Sequence, residues 1–235
     1  MDIIFLGVND VGLQIYEWLC DRDSINMVAL LTEKSQLDLV HDVRPDLLIS
    51  VGFDHLVPSD ILDVPPQGAI NLHPALLPYN RGKSPNVWPL IEGTPAGVTL
   101  HYMDESFDTG EIISQRQIET DFADTGKQLH RRLENAQYDL FTEIWPDIES
   151  GQIDTTPQDS ENGSYHTTDD FLELCKIAPD EEVQAKEFLD QLRALTFPPF
   201  NNARIEVDGE TYYIDVEIRR ENETNPDIDG LLSSY

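Results

Sequence analysis

Two short segments carry residue types suited to chemistry at a single carbon. Asn71-Leu72-His73-Pro74 closes a run read as a strand, Ala69–His73. Residues i and i+2 of a strand face the same side, so Asn71 and His73 point together. An amide donor beside an imidazole suits a developing oxyanion and a proton transfer at one carbon. The plainer alternative is a hydrogen-bonded pair that finishes the strand. The second segment, Asp104-Glu105-Ser106-Phe107-Asp108-Thr109-Gly110, follows another predicted strand. A carboxylate there could orient His73 and stabilise its charged form. Spacing does not choose among Asp104, Glu105 and Asp108.

The surroundings of the first segment are chemically unusual. The chain holds 45 acids against 15 bases among 235 residues, a formal net charge of −30. Residues 65–91 nevertheless contain no Asp or Glu, and they hold Arg81 and Lys83. Burial accounts for Ala69–Leu72. It does not account for Pro78-Tyr79-Asn80-Arg81-Gly82-Lys83, a loop with two cations, which is read as compatible with an anionic ligand. The overall charge disfavours nucleic acid as a partner. Because the acids are spread along the whole chain, they are read as adaptation to a salt-rich cytoplasm, where repulsion is screened within a few ångströms.

Other chemistries find little support. Gly7-Val8-Asn9-Asp10-Val11-Gly12 is not a GxGxxG fingerprint, so NAD is disfavoured. There is no P-loop, GxSxG or HExxH. Cys20 and Cys175 are two and far apart, which argues against a disulfide framework and a zinc site and for a reducing compartment. No metal is expected: His101, His130 and His166 lack ligand-like partners. His101 and Tyr102 are read as packed strand residues, Trp88 and Trp145 as core, and Arg131-Arg132 as partners of nearby acids. The start of the chain lacks a signal-peptide pattern and no apolar run approaches a membrane span.

The elements that must position these groups alternate. Strands are expected at Ile3–Gly7, Met27–Leu31, Leu47–Gly52, Ala69–His73, Gly97–Met103 and Glu111–Ile118. A helix carrying Leu13, Tyr16, Trp18 and Leu19 follows the first strand, and another is expected over Ser84–Glu92 with Pro85 in its first turn. Leu129, Leu133, Leu140, Ile144 and Ile148 mark one face of a long helix that opens at Asp124-Thr125 and ends at Gly151. This rhythm predicts an α/β fold, a mostly parallel sheet with helices on both faces. Open parallel sheets bind ligands at the carboxyl ends of their strands, where Asn71 and His73 lie. The expected division is a catalytic domain over 1–151, a linker over 152–180, a C-terminal helix and β-hairpin over 181–220, and a frayed acidic tail over 221–235. Within the appendage, Asp208-Gly209 suits a type I′ hairpin turn.

Asn71-Leu72-His73-Pro74-Ala75-Leu76-Leu77-Pro78, then Arg81-Gly82, then Asp108-Thr109-Gly110-Glu111-Ile112-Ile113 resembles the formyltransferases that use N10-formyltetrahydrofolate. That family includes methionyl-tRNA formyltransferase, glycinamide ribonucleotide transformylase and the amino-sugar N-formyltransferases. The resemblance runs from Ile3 to about Ile118 and more loosely to Ile218. It implies a Rossmann-like formyltransferase fold, with catalytic Asn71, His73 and Asp108. It thereby selects the carboxylate that spacing left open. The loop with Phe53, His55, Leu56 and Val57 would flank the folate pterin, with Glu105 and Phe107 on its other side.

The resemblance also implies a substrate class. Pro78-Tyr79-Asn80-Arg81-Gly82 is similar to the loop of enzymes that formylate nucleotide-linked amino sugars. The implied substrate-binding residues are Asn9, Tyr79, Asn80, Arg81 and Lys83. Lys83 departs from the aromatic residue that follows Arg-Gly in many of these enzymes. Leu192-Arg193-Ala194-Leu195-Thr196 and the hairpin after it are similar to their C-terminal appendage, which implies a possible homodimer. The runner-up is methionyl-tRNA formyltransferase, on Gln158, Gly163, Ser164, Tyr165 and Phe197-Pro198-Pro199. A third reading is a non-catalytic relative that binds folate or a sugar nucleotide.

Overall fold

The computed structural model describes residues 1–7 and 9–221. In chain order it contains β1 (Asp2–Leu6), α1 (Asp10–Cys20), β2 (Asn26–Leu31), α2 (Leu39–Val43), β3 (Leu47–Ser50), α3 (Ser59–Leu62), β4 (Ala69–His73), β5 (Arg81–Gly82) and α4 (Trp88–Glu92). There follow β6 (Ala96–Tyr102), β7 (Ile112–Ile118), α5 (Gly126–Ser150), β8 (Tyr165–His166), α6 (Thr168–Leu174), β9 (Lys176–Ile177), α7 (Ala185–Leu195), β10 (Arg204–Val207) and β11 (Glu210–Tyr213).

Six strands form the main sheet in the order β2-β1-β3-β4-β6-β7. The first four are parallel, whereas β6 and β7 run antiparallel to their neighbours. β1 and β3 are apolar on both faces because helices cover both. On one face Ile3, Phe5, Leu47 and Ile49 pack with α1 and α5 through Ile15, Leu133 and Trp145. On the other, Ile4, Leu6 and Leu48 meet Val40 of α2 and Ile61 of α3. No described helix is long and apolar enough to cross a membrane.

Local signals set several boundaries. Asn9 caps α1, its Oδ1 accepting from Gly12 N at 2.8 Å. Thr125 and Gln128 form a capping box at the start of α5, and Gly151 closes that helix in the left-handed region. Asp208 and Gly209 both have positive φ, 52° and 81°, as a type I′ turn requires. One expectation needs correction. The helix over Ser84–Glu92 begins at Trp88, because Ser84 adopts a left-handed φ of 55°. Its early proline is therefore Pro89 and not Pro85. On α1 the buried face is Val11, Gly12, Ile15 and Leu19, and Leu13 is exposed.

Segment 152–180, read from sequence as a linker, carries structure. Thr156 bridges to Ile112, β8 pairs with β5, and β9 joins β10 and β11 in a second small sheet. The acidic tail expected over 221–235 lies, from residue 222 on, outside the described residues.

Candidate active site

β4 delivers Asn71 and His73 to one end of the sheet. β6 runs antiparallel beside it, so His101 stands directly opposite Asn71. The loop after β6 then brings Asp108 back over the same end. His73 Nδ1 lies 3.4 Å from Asp108 Oδ1, with both side chains nearly buried. Asn71 Nδ2 lies 3.3 Å from the same oxygen and 3.1 Å from His101 Nε2. His73 Nε2 is buried and has no partner among the described residues. A buried ring nitrogen without a partner costs stability unless a ligand completes it.

Asp108 is held by backbone geometry. Its φ of 57° is left-handed, and its Oδ2 accepts from Gly82 N at 3.1 Å. Gln158 Nε2 donates to the carbonyls of Asp108 and Gly110, at 3.1 and 2.6 Å. Gly110 is obligatory: a Cβ there would lie 1.9 Å from the Tyr102 carbonyl oxygen. The other two carboxylates do different things. Asp104 Oδ1 accepts from Ser106 N at 3.0 Å and Thr109 Oγ1 at 2.6 Å, tightening the loop. Glu105 is exposed and lines neither cavity described below.

His101 is the site residue that sequence reasoning missed. It is buried, and burial pushes its pKa down to about 4 although the Asp108 charge opposes this. Its Nδ1 donates to the Tyr102 carbonyl at 2.7 Å. The ring is therefore neutral, and its bare Nε2 accepts from Asn71.

A cavity of about 290 Å³ opens over this cluster, lined by Asn9, Phe53, Asn71, His73, Lys83 and Asp108 among others. A narrower cleft of about 40 Å³ adjoins it, sharing Phe53, Asn71, Phe107 and Asp108 and adding His55, Leu56 and Val57. Phe53, Leu56, Val57, Met103 and Phe107 give it apolar walls, and Ser50, His55, His101, Asp104 and Ser106 add polar groups. Lys83 is the one lysine or arginine that lines the larger cavity among its described residues, and its Nζ lies 2.7 Å from Asp54 Oδ1.

Tyr79, Asn80 and Arg81 line neither cavity. Asn80 is fully buried, exchanging hydrogen bonds with Thr94 and Ser164. Arg81 pairs with Tyr165 along β5 and aims Nε at the Ser164 carbonyl, 3.4 Å away. These residues build the loop; Lys83 and Asn9 reach the space beside it. Tyr165, from the segment read as a linker, also lines the larger cavity.

Comparison with known proteins bears on what this arrangement does. A family profile described as formyl transferase matches residues 20–144, which include Asn71, His73 and Asp108. A second, described as the N-formyltransferase dimerization C-terminal domain, matches residues 170–220. A methionyl-tRNA formyltransferase of Syntrophus aciditrophicus is 39% identical over 130 residues, 55% of this chain and 42% of that protein. The match thus spans less than half of that relative's length. A sugar N-formyltransferase from Shewanella sp. superposes with a TM-score of 0.84 at 26% identity, covering 94% of this chain and 98% of that one. The formyltransferase PseJ from Anoxybacillus kamchatkensis was solved with UDP-4,6-dideoxy-4-formamido-L-AltNAc and tetrahydrofolate. It superposes with a TM-score of 0.66 at 32% identity, over 83% of this chain and 98% of that one.

Proposed function

The chain belongs to the formyl transferase family, and from that premise we propose that it transfers a formyl group from N10-formyltetrahydrofolate to the amine of a nucleotide-linked amino sugar. The observation that carries this reading is the convergence of Asn71, His73 and Asp108 on one cavity, with His73 Nε2 buried and unpartnered. Likeness to sugar enzymes supports the acceptor class: the superposition on the Shewanella sugar N-formyltransferase takes in 94% of this chain, appendage included.

The chemistry is acyl transfer. The bound formyl-folate supplies the electrophilic carbon, and Phe53, Leu56, Val57 and Phe107 would hold its ring system. The acceptor amine forms the new C–N bond, and the bond from that carbon to the folate nitrogen breaks. Asn71 turns an Nδ2–H toward the carbonyl oxygen as it gains negative charge. His73 takes the proton lost by the amine on Nε2 and delivers it to the departing folate nitrogen, with Nδ1 held by Asp108. Lys83 and Asn9 lie where the acceptor enters.

The hairpin β10–β11 would join two copies: it leaves Val207, Tyr212 and Tyr213 exposed, and it lies inside the segment similar to dimerization domains. The acid excess fits a salt-rich cytoplasm.

Tetrahydrofolate release is measured in 0.1 and about 2 M KCl with 3-amino and 4-amino sugar nucleotides, with methionyl-tRNA, and with no acceptor. Turnover with a sugar nucleotide that disappears in His73→Ala supports the reading. Turnover with methionyl-tRNA alone replaces it by the reading that the 39% identity favours. Folate binding without turnover on any acceptor leaves a non-catalytic relative.

A further inference from the structure

His166 is a buried imidazole that the formyl-transfer chemistry does not use. It lines neither cavity of the candidate site. α4 builds a socket for it. Trp88 and Glu92 stand four residues apart on that helix and so share one face. The His166 ring lies flat on the Trp88 ring, with centroids 3.8 Å apart and planes 10° from parallel. Its Nε2 lies 3.2 Å from Glu92 Oε1, in a direction that makes no hydrogen bond. The stacked face is therefore the main hold on the ring.

The same pair of residues holds the backbone of the neighbouring loop. Lys83 N donates to the His166 carbonyl at 2.9 Å, and the Lys83 carbonyl accepts from Trp88 Nε1 at 2.7 Å. One residue earlier, Gly82 stands in register with His166 across β5 and β8. A Cβ on Gly82 would lie 2.3 Å from the His166 carbonyl oxygen, so glycine is what lets the two strands approach. Each strand is two residues long. A pair that short does not secure its own register, so side-chain packing must. The register delivers the Gly82 N–H to the site. It donates to Asp108 Oδ2 at 3.1 Å, the one hydrogen bond which that oxygen accepts among the described residues. The other oxygen, Oδ1, faces His73 Nδ1 at 3.4 Å. A carboxylate gripped at one oxygen has the other one aimed.

We propose that His166 is a positioning residue for formyl transfer: stacked on Trp88, it sets β8 against β5 so that the Gly82 N–H aims the Asp108 carboxylate at His73. This takes Asp108 in the catalytic part proposed above. His166 itself meets no reacting atom; its effect passes through the backbone of β5.

Two measurements on the intact protein test this. One is amide hydrogen exchange at Gly82, read by NMR, which needs no acceptor. The other is kcat and the formyl-folate KM with the acceptor identified by tetrahydrofolate release. Both are made on wild type, His166→Ala, His166→Phe, Asp108→Asn, and His166→Ala combined with Asp108→Asn. In His166→Ala the Gly82 amide should exchange about tenfold faster, with the amides of β1 and β4 as protected as in wild type. The kcat should fall about tenfold, the effect of losing one hydrogen bond to a charged group, and the formyl-folate KM should hold within about twofold. His166→Phe returns an aromatic face to Trp88 and should recover most of both losses. In the Asp108→Asn background, His166→Ala should cost no further kcat, because both changes act on one carboxylate.

An equal loss in both backgrounds would overturn the proposal, and so would a fall in kcat with Gly82 exchange unchanged; each marks a general structural effect. Faster exchange with kcat unchanged would overturn it too. Asp108→Asn by itself separates the two readings: if that variant keeps the wild-type kcat, the catalytic reading of Asp108 fails and the proposal falls with it. If it is slow, the fate of His166 is decided by its own variants. Where no acceptor is turned over, exchange alone decides: unchanged exchange at Gly82 in His166→Ala overturns the proposal, and the tenfold rise upholds it.

Discussion

His101 fixes the direction of the Asn71 amide. The two nitrogens, Nε2 and Nδ2, lie 3.1 Å apart. The other ring nitrogen of His101 faces a carbonyl, which can only accept, so Nδ1 carries the proton and Nε2 is bare. Asn71 must therefore donate to it. Its second Nδ2–H points at Asp108 Oδ1 over 3.3 Å, the longer contact and the one that can be redirected to a substrate oxygen. The amide is thus presented as a donor before any ligand arrives.

His101→Met should remove this constraint. Losing one oriented hydrogen bond predicts about a tenfold fall in kcat, with the KM for formyl-folate little changed. Stability supplies the readout that a packing role alone would not move. Burial lowers the folded-state pKa of His101 from its ordinary 6.5 to about 4, so the unfolded chain binds the proton first. The contribution of neutral His101 is full above about pH 6.5 and is lost as pH falls toward 4. Denaturant titrations at pH 7, 5.5 and 4.5 should show wild type losing stability more steeply than His101→Met. Parallel losses would refute the assignment.

Asp108→Asn keeps the shape and the acceptor for Gly82 N but removes the charge facing His73. The expected loss in kcat is about 10²–10⁴-fold, the usual contribution of general acid–base catalysis. Folate affinity should hold within a few-fold, and single-turnover formyl transfer separates chemistry from binding. A kcat within threefold of wild type would remove Asp108 from the mechanism.

Gly110→Ala should damage the fold as well as the activity. The new methyl would meet the Tyr102 carbonyl at 1.9 Å, and the loop carrying Asp108 would have to move. A destabilisation above about 2 kcal/mol is expected, seen as a fall in melting temperature of roughly 4–8 °C for a chain of this size.

Lys83 and Asp54 should oppose each other in acceptor binding. Lys83 Nζ is held 2.7 Å from Asp54 Oδ1 at the cavity over Asn71 and His73, so an anionic acceptor must compete with that carboxylate. Lys83→Ala is expected to raise the acceptor KM about tenfold and Asp54→Asn to lower it a few-fold. Both groups are partly exposed, so the differences should shrink between 0.1 and 1 M KCl, as the screening length contracts from ~10 Å to ~3 Å. Acceptor KM values that ignore both substitutions would place the anion elsewhere.

The sequence alone determined the parts of the site that depend on local geometry. Strand periodicity put Asn71 and His73 on one face, and β4 occupies Ala69–His73 as expected. The apolar rhythm predicted the sheet and the long helix α5, because those features follow from which side of an element must be dry. The tertiary structure decided which distant residues meet. Spacing could not choose among Asp104, Glu105 and Asp108, because the turn that brings Asp108 to His73 depends on Gly110 against Tyr102 and on Gln158, which comes from the segment read as a linker. His101 read as a packed strand residue until the antiparallel register of β6 set it opposite Asn71. Arg81 lines neither cavity over Asn71 and His73, because β5 pairs it with Tyr165, from a segment far away in the chain. Period and composition report whether a residue is inside or outside, whereas a site depends on pairing between elements far apart in the chain, and that register is fixed only when the whole core packs.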